Sequence, residues 1–377
     1  MFDAVAQKTK IAIPFVDLKR QYLSLREKIL HEIDRVLSSG NYILGEEVDT
    51  LEREIAAYLR CPFVVTVANG TDALILVLKA LGVAQGDEVI LPVNSFIATA
   101  GAVVAVGATP VLCDIAEDLN IDVNKIESLI TSKTKVIMPV HLTGRPAEMN
   151  SIMRVAKKNN IYVVEDAAQS IGAHYHGAKT GTLGDVGCFS LHPLKNWRAY
   201  GDAGFITMQD ETLYREIKLI RNHGLLNRDT CVKWGLNSRL DAVQAGILRC
   251  TLPYVDAWNA RRREIASNYQ KELFPIVKTP CDISNVYSVY HNFIIQTDRR
   301  DELMRFLEKN KIETKIHYPI PIHLQAAASK LAYRQGDFPV AERITKTMMS
   351  LPVYSELTEE EVVFIIKSIQ SFFTMRS

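Results

Sequence analysis

The sequence predicts an α/β domain built on a largely parallel or mixed sheet, followed by a smaller α+β domain. From about residue 62, short apolar runs alternate with longer segments of helical periodicity, which is the pattern of an α/β domain. The runs are rich in Val and Ile and apolar on both faces, as expected for strands that helices cover on each side. The length of 377 residues is enough for two domains, or for one large and one small domain.

The elements follow in order along the chain. Seven apolar runs are predicted strands of the large domain: FVVTVA, DEVILPV, TPVLCDI, KVIMPVHL, IYVVEDAA, VGCFSLH and AGFITMQ. The segments between them carry the periodicity and stop signals of helices, among them TDALILVLKALG, ATAGAVVAVG, DVNKIESLI and AEMNSIMRVAKKN. A long linking helix is predicted over VDAWNARRREIASNYQKELF, and the smaller domain over VYSVYHNFIIQT, RRDELMRFLEKN and TEEEVVFIIKSIQSFF. We therefore expect an N-terminal arm and large domain over residues 1–255 and a small C-terminal domain over residues 256–377.

Composition and charge argue against a nucleic-acid-binding or membrane protein. Lys and Arg total 44 and Asp and Glu 43, a formal net charge of +1, whereas nucleic-acid binders usually cluster excess basic residues. No apolar run approaches the roughly 18 to 20 residues that span a bilayer, and the first residues lack the pattern of a secretory signal. The six cysteines are scattered without a CxxC pair, which suits free thiols in a reducing compartment. We expect a cytoplasmic protein.

The first candidate site residues are Gly70 and Thr71 in ANGTDAL, at the junction of a predicted strand and helix. Free backbone N–H groups and the helix dipole favour a phosphate at such a junction, and Thr71 can add a hydroxyl. The alternative is a helix N-cap with a turn glycine and nothing bound.

The second candidate is Asp166 in VVEDAAQS. It follows four β-forming residues, so it is expected to project at the carboxyl end of a strand, where ligands of α/β sheets gather. It could cap the following helix, or pair with the protonated ring nitrogen of a ligand. Gln169 could then hydrogen-bond a neighbouring oxygen on that ring.

The third candidate is the stretch SLHPLKNWRAYGDAG, which carries Ser190 on a predicted strand and Lys195 in the turn after it. Lys195 is either an ordinary surface cation or a lysine in a partly apolar site, where its pKa would fall. A neutral amine is the form that makes a Schiff base with an aldehyde. A phosphate cradle, a buried acid and a nucleophilic lysine together point to pyridoxal phosphate.

The chain resembles the DegT/DnrJ/EryC1 family of nucleotide-sugar aminotransferases over nearly its whole length. The motifs NGTDAL, EDAAQSIGA, GDVGCFSLHPLKN, YGDAGFI and GLNSRLDAVQAGIL follow one another in the family's order. The resemblance implies the aspartate-aminotransferase-like fold, which is fold type I of the pyridoxal-phosphate enzymes. Its large α/β/α domain has a mixed, mostly parallel sheet, and its smaller C-terminal domain is α+β. It also implies a homodimer with active sites at the subunit interface.

The same resemblance implies roles for the cofactor site. Lys195 would be the Schiff-base lysine, Asp166 the partner of the pyridine nitrogen and Gln169 the neighbour of the ring hydroxyl. The phosphate would be held by Gly70, Thr71 and Ser190, and by Asn237 from the neighbouring subunit. Phe96 would stack on the cofactor ring, with a core aromatic as the alternative.

For the substrate, the resemblance implies contacts from Arg239 and from the IHYPIPIH segment. Arg239 could pair with the donor carboxylate or with a substrate phosphate. His317, Tyr318 and His323 would contact the nucleotide sugar, or simply belong to a packed loop. No metal site is expected, because neither His174 with His176 nor His317 with His323 has acidic or cysteine ligands clustered beside it.

The implied reaction moves an amino group from an amino acid, glutamate by family habit, to a keto sugar on a nucleoside diphosphate. Lys195 excludes the family branch that carries histidine there and deoxygenates sugars. YGDAG resembles members that act on a 3-keto sugar; amination at the sugar 4-position and a non-catalytic regulatory protein on the same fold are the alternatives. Trp197 and Arg198 depart from the small or aliphatic residues common at their positions, and we expect them to flank the cleft.

Overall fold

The computed structural model describes residues 13–375, so the first twelve residues of the predicted N-terminal arm lie outside the described residues. The α-helices are α1 Leu18–Ser39, α2 Glu46–Leu59, α3 Gly70–Ala80, α4 Ile97–Ala105, α5 Val123–Leu129, α6 Met149–Asn159, α7 Glu211–Ile220, α8 Ala242–Thr251, α9 Val255–Leu273, α10 Arg300–Lys309, α11 Pro339–Thr347 and α12 Glu359–Thr374. Short 3₁₀ turns cover Leu142–Gly144, Leu252–Tyr254, Ile322–Leu324 and Ala326–Leu331. Within residues 13–375, no helix is both long and apolar enough to cross a bilayer.

The strands are β1 Phe63–Val67, β2 Glu88–Pro92, β3 Thr109–Cys113, β4 Thr134–Ile137, β5 Tyr162–Asp166, β6 His174–Tyr175, β7 Ala178–Lys179, β8 Val186–Ser190, β9 Gly204–Met208, β10 Leu225–Asn227, β11 Thr230–Cys231, β12 Val286–Tyr287, β13 Phe293–Gln296 and β14 Met348–Leu351. The central sheet has the order β1-β9-β8-β5-β4-β2-β3. Its strands are the seven apolar runs predicted from the sequence.

The sheet is parallel from β3 to β8, and β9 runs antiparallel to both of its neighbours, β8 and β1. Because β9 reverses direction between them, β1 and β8 point the same way as β5. The carboxyl ends of β1, β5 and β8 therefore meet at one edge of the sheet. This edge is where the three candidate stretches end.

A second core lies in the C-terminal part of the chain. Residues of α9, α10, α12, β13 and β14 pack together there, with Ile265, Phe293 and Ile365 fully buried. Ile13 packs into the same core and makes a parallel bridge to Ile312. The described end of the N-terminal arm thus belongs to the C-terminal core, although the sequence grouped it with the large domain.

The predicted run VYSVYHNFIIQT is divided between two sheets. Its first part, β12, pairs with β6, and its second part, β13, pairs with β14. Residues 288–292 between them cross from the small three-stranded sheet β12-β6-β7 to the second core. One apolar run therefore contributes strands to both parts of the chain. Its connecting residues His291 and Asn292 line a cavity between those two parts.

Candidate active site

A cavity of about 700 Å³ opens at the edge where β1, β5 and β8 end. Most of the residues singled out in the sequence line it: Gly70, Thr71, Phe96, Asp166, Gln169, Ser190, Lys195, His317 and Tyr318. Asn237, Arg239 and His323 do not line it. The cavity therefore brings together every predicted cofactor contact except Asn237, which the sequence assigned to the neighbouring subunit.

The start of α3 forms one end of this cavity. The Asn69 side chain caps the helix by accepting from the backbone N–H of Asp72 (2.8 Å). The backbone N–H groups of Gly70 and Thr71 make no hydrogen bond within residues 13–375, as expected in the first turn of a helix. The cap and two unpaired N–H groups are thus present together at this end of the cavity.

Gly70 lies directly against Ser190. A Cβ atom on Gly70 would come within 2.7 Å of the Ser190 Cβ. Gly204 is equally constrained, because a Cβ there would lie 2.6 Å from the carbonyl of Asn69. The close approach of β8 and β9 to the start of α3 requires glycine at both positions.

We expect Gly70→Ala to weaken pyridoxal-phosphate binding at least about tenfold, because Ser190 or the first turn of α3 must move to admit the methyl group. An absorbance titration of the cofactor-free protein measures this. Gly101→Ala in α4 is the matched control, since a Cβ at Gly101 meets nothing within 4 Å. Unchanged affinity in Gly70→Ala would show that the Gly70–Ser190 contact does not shape the site.

Asp166 is buried at the end of β5 and held by two hydrogen bonds. Its Oδ2 accepts from the Thr99 hydroxyl (2.8 Å), and its Oδ1 from the Ala168 backbone N–H (3.2 Å). The Thr99 hydroxyl also bonds that of Ser95 (2.7 Å). Burial raises the pKa of Asp166, while the two hydrogen bonds and the Lys195 charge act in the opposite direction. The sequence analysis singled out neither Thr99 nor Ser95.

The residue before Asp166 fixes the end of β5 from the other side. Glu165 is fully buried and accepts from the backbone N–H groups of Gly181, Leu183 and Gly184, each at 2.7 Å. It also bonds Nε2 of His141 (2.7 Å). Because Nδ1 of His141 accepts from a backbone N–H, Nε2 carries the ring proton. Glu165 is therefore a structural anchor for the strand that carries Asp166.

Gln169 and Phe96 both contact Tyr318. Oε1 of Gln169 accepts from the backbone N–H of Thr143 (2.7 Å), and its Nε2 donates to the Tyr318 hydroxyl (3.2 Å). The Phe96 ring centroid lies 5.7 Å from that of Tyr318, and 55% of Phe96 is exposed. This exposure, on the cavity wall, excludes the alternative in which Phe96 is a core aromatic.

Lys195 lies in the turn after β8, where its backbone N–H donates to the carbonyl of His192 (2.8 Å). Burial lowers its pKa from 10.5 to about 8, and the charge of Asp166 opposes this shift. Its Nζ makes no hydrogen bond or ion pair within residues 13–375. Lys195 is therefore not an ordinary surface cation but an amine of lowered pKa that lines the cavity.

Histidines that the sequence did not assign also line the cavity, namely His192 and His291. His291 lies on the connection between β12 and β13, and only the division of that run between two sheets places it here. His192 precedes Lys195 by three residues. Within residues 13–375, no group of three or more His, Cys, Asp or Glu residues has the arrangement of a metal site.

For His323, the alternative of a packed loop describes the structure. Its ring is buried, its Nε2 bonds the Glu342 carboxylate of α11 (3.0 Å), and it packs edge-on against Phe338. The 3₁₀ turn Ile322–Leu324 directs it into the protein, away from the cavity. His323 is a packing residue and has no route to a substrate.

The prediction for Trp197 and Arg198 needs correction, because neither lines the cavity. Trp197 is fully buried, and its Nε1 donates to the Thr251 hydroxyl (3.1 Å). Arg198 is buried as well, and its Nε donates to Oε1 of Gln21 (2.6 Å) on α1. These side chains attach the Lys195 turn to α8 and α1, so they act through the position of the turn.

Asn237 and Arg239 lie outside the cavity of their own chain. Ser238 between them is buried and accepts from the backbone N–H of Ala68 (3.2 Å), next to the start of α3. Asn237 is exposed, and Nη1 of Arg239 donates to Asn222 (3.0 Å). The segment is therefore attached beside the α3 end of the cavity while Asn237 faces outward.

Comparisons with known proteins agree with this arrangement. The model of the DegT/DnrJ/EryC1/StrS aminotransferase family matches residues 23–370. A dTDP-3-amino-3,6-dideoxy-alpha-D-galactopyranose transaminase of Aneurinibacillus thermoaerophilus is 42% identical over 96% of this chain and 99% of its own length. A pleiotropic regulatory protein of Geobacillus stearothermophilus is 40% identical over 96% of this chain and 98% of its own length.

Solved structures show the same fold. The S. venezuelae DesV structure in complex with a ketimine intermediate superposes with a TM-score of 0.94 at 38% identity, covering 96% of this chain and 98% of that one. NtdA from Bacillus subtilis, with bound cofactor PMP, gives 0.91 at 30% identity, covering 98% and 87%. These likenesses confirm the predicted fold class. The chain belongs to the DegT/DnrJ/EryC1/StrS aminotransferase family.

Proposed function

We propose that this protein is a pyridoxal-phosphate-dependent aminotransferase that converts a nucleotide-linked 3-keto sugar into the corresponding amino sugar. One observation carries the proposal. Lys195, the buried Asp166 and the Gly70–Ser190 contact at the start of α3 open into a single cavity.

The residues present fit pyridoxal phosphate. The unpaired N–H groups at the start of α3 suit its phosphate, Asp166 suits a protonated ring nitrogen, and the amine of Lys195 suits its aldehyde. When bound, the cofactor supplies an electron sink for the bonds at the donor carbon. Lys195 then holds and moves the proton at that carbon, Asp166 keeps the ring nitrogen charged and Gln169 orients the ring.

A regulatory role, which is part of the name of the Geobacillus stearothermophilus relative, is less well supported. Regulation on this fold does not require a lysine of lowered pKa, a buried carboxylate and a helix start in one cavity. Catalysis requires all three. Their presence in this chain therefore favours the enzyme.

The proposed sugar position rests on chain similarity, and the proposed amino donor on the family resemblance. YGDAG after Lys195 and the 3-amino sugar in the name of the galactopyranose relative support a 3-keto substrate. His317 and Tyr318 lie on the cavity wall, which supports a role for them in contacting the sugar. Glutamate is the proposed donor.

The function is tested by the visible spectrum and by turnover. The purified protein with pyridoxal phosphate should absorb in the visible and lose that absorbance on addition of L-glutamate. Nucleotide-linked 3-keto sugars should then restore it, and 4-keto sugars should not. A colourless protein that gives no borohydride-reducible adduct would rule the proposal out.

We further propose that the enzyme is a homodimer in which Asn237 of each chain completes the cavity of the other. In a mixed dimer of Lys195→Ala and Asn237→Ala chains, one site then carries both changes and the other carries neither. Random mixing in equal amounts makes about half of the dimers mixed, so activity should recover to about a quarter of wild type. Activity equal to the mean of the two parent variants would contradict the shared site.

A further inference from the structure

The carboxylate of Asp166 has one side-chain hydrogen-bond partner within residues 13–375, the hydroxyl of Thr99 in the first turn of α4 (2.8 Å). Its second donor is the backbone N–H of Ala168 (3.2 Å). Asp166 and Thr99 are both buried, at 6% and 1% exposure, so the charge of the carboxylate depends on donors that the protein supplies. A carboxylate has about four acceptor sites, and these two bonds leave room for a further donor.

Four titratable side chains lie near Asp166 without a hydrogen bond to its carboxylate in the described part of the chain: His141, Cys188, Lys195 and Tyr318. Burial raises the pKa of the Cys188 thiol and of the Tyr318 phenol, so both groups are neutral near pH 7. Burial also raises the pKa of Asp166, and the Thr99 hydrogen bond is the largest of the effects that oppose this rise. The ionised form of Asp166 therefore depends more on Thr99 than on any nearby charge.

The hydroxyls of Ser95 and Thr99 form a directed chain that ends at Asp166. A hydroxyl has one proton to donate and an ionised carboxylate only accepts, so the Thr99 proton points toward Oδ2 of Asp166. The Ser95 hydroxyl, 2.7 Å from that of Thr99, then donates to it. Each hydrogen bond in such a chain polarises the next, so Ser95 strengthens the donor that Thr99 presents.

We propose that Thr99 is a positioning residue: its hydroxyl, supported by that of Ser95, keeps the Asp166 carboxylate ionised and turned to hold a proton on the ring nitrogen of the cofactor. The role rests on the proposed function, because the charge of Asp166 is needed there for that proton. Thr99 acts through Asp166 and not on the substrate. A hydroxyl in the helix after β2 thus controls an acid at the end of β5.

The cofactor-free protein gives a direct test. The pKa of Asp166 is measured from the pH dependence of the infrared absorption of its protonated carboxyl group, after subtraction of the Asp166→Asn spectrum. Thr99→Val keeps a branched side chain but removes the donor. Because the lost hydrogen bond favoured the ionised form, we expect the pKa of Asp166 to rise by about one unit. Ser95→Ala leaves the Thr99 donor in place and should raise this pKa by a smaller amount.

Further variants separate the hydroxyl from packing. Thr99→Ser keeps the hydroxyl and should retain the wild-type pKa of Asp166, whereas Thr99→Ala removes it and should give the same rise as Thr99→Val. Thr345→Val in α11 is the matched control, because Thr345 is buried and its hydroxyl has no partner within residues 13–375. A wild-type pKa in either variant that lacks the Thr99 hydroxyl, or an equal rise in Thr99→Ser or Thr345→Val, overturns the proposal.

The bound cofactor gives a second readout, which a purely structural role of Thr99 would not change. When pyridoxal phosphate is isotope-labelled at its ring nitrogen, the NMR chemical shift shows whether that nitrogen carries a proton. The proton should be lost at a lower pH in Thr99→Val than in the wild type, and at the wild-type pH in Thr99→Ser. Loss at the same pH in all three proteins overturns the role toward the cofactor. The titration of Asp166 needs no cofactor, so its result is separate from the adduct test of the proposed function.

Discussion

Lys195→Ala is expected to abolish transamination, with a loss of at least about 10³-fold, and to give no borohydride-reducible adduct with pyridoxal phosphate. The variant loses both the amine that binds the aldehyde and the group that moves the proton. Proton transfer by a positioned side chain contributes about 10²–10⁴-fold even without covalent bonding. Mass spectrometry after borohydride treatment of the wild type should place the adduct on Lys195.

Lys179→Ala is the matched control for this experiment. Burial also lowers the pKa of Lys179, but its Nζ lies over the Tyr58 ring, 3.3 Å from the centroid, and it does not line the cavity. Its removal should leave the adduct and the activity intact. A reducible adduct that persists in Lys195→Ala and disappears in Lys179→Ala would reverse the assignment.

The pH dependence of adduct formation is set by the same amine. Its pKa in the folded protein is about 8, and only the neutral form attacks an aldehyde. The rate of adduct formation in the cofactor-free protein should therefore rise as the pH increases through about 8 and level off above it. A lysine of ordinary pKa would continue to gain reactivity up to about pH 10.5.

Asp166→Asn is expected to reduce kcat/KM by about 10²–10⁴-fold without unfolding the protein. An amide has no charge to hold a proton on the ring nitrogen, and ion pairing is strong in a buried site. Folding should tolerate the change, because burial already disfavours the charged form of Asp166 and raises its pKa. The Asn oxygen can accept from the Ala168 N–H and its NH2 group can donate to the Thr99 hydroxyl, which can in turn donate to Ser95.

Activity and stability must therefore be measured together for this variant. Thermal unfolding should change little while kcat/KM falls. Asp185→Asn is a suitable control, because Asp185 is exposed. Among the described residues, its carboxylate accepts only from the backbone N–H of Val163 in β5, the strand that ends at Asp166. An amide oxygen can accept the same hydrogen bond. Equal losses of activity in both variants would point to a general effect on β5 and not to the charge of Asp166.

Trp197, Arg198 and His323 show the limit of what the sequence alone can predict about side-chain positions. Trp197 and Arg198 follow the lysine in sequence, yet their side chains turn into the core, because α8 and α1 offer them partners there. His323 lies six residues after His317, but a 3₁₀ turn points it at Glu342. Distance along the chain does not determine side-chain direction in irregular segments, so the predicted positions of Trp197 and Arg198 were wrong, and for His323 the packed-loop alternative applies.

Other residues could not be found in the sequence at all. Thr99 and His291 are ordinary residue types in ordinary segments. Their importance comes from hydrogen bonds to Asp166 and Asn196, which lie 67 and 95 residues away along the chain. Such partners exist only once the sheet and the second core have formed.

The sequence by itself determined the seven strands, the fold class and the family, and it singled out Lys195, Asp166 and Gly70, which line one cavity in the structure. Strands that helices cover on both faces appear in the sequence as continuous apolar runs, so the strands could be recognised. The carboxyl ends of parallel strands meet at one edge, so residues that follow different strands could be expected to lie together. The tertiary structure alone decided which hydroxyl holds Asp166, which histidines line the cavity and which side chains leave it. These outcomes depend on hydrogen bonds and burial between segments that are distant in sequence. A local sequence pattern does not contain that information.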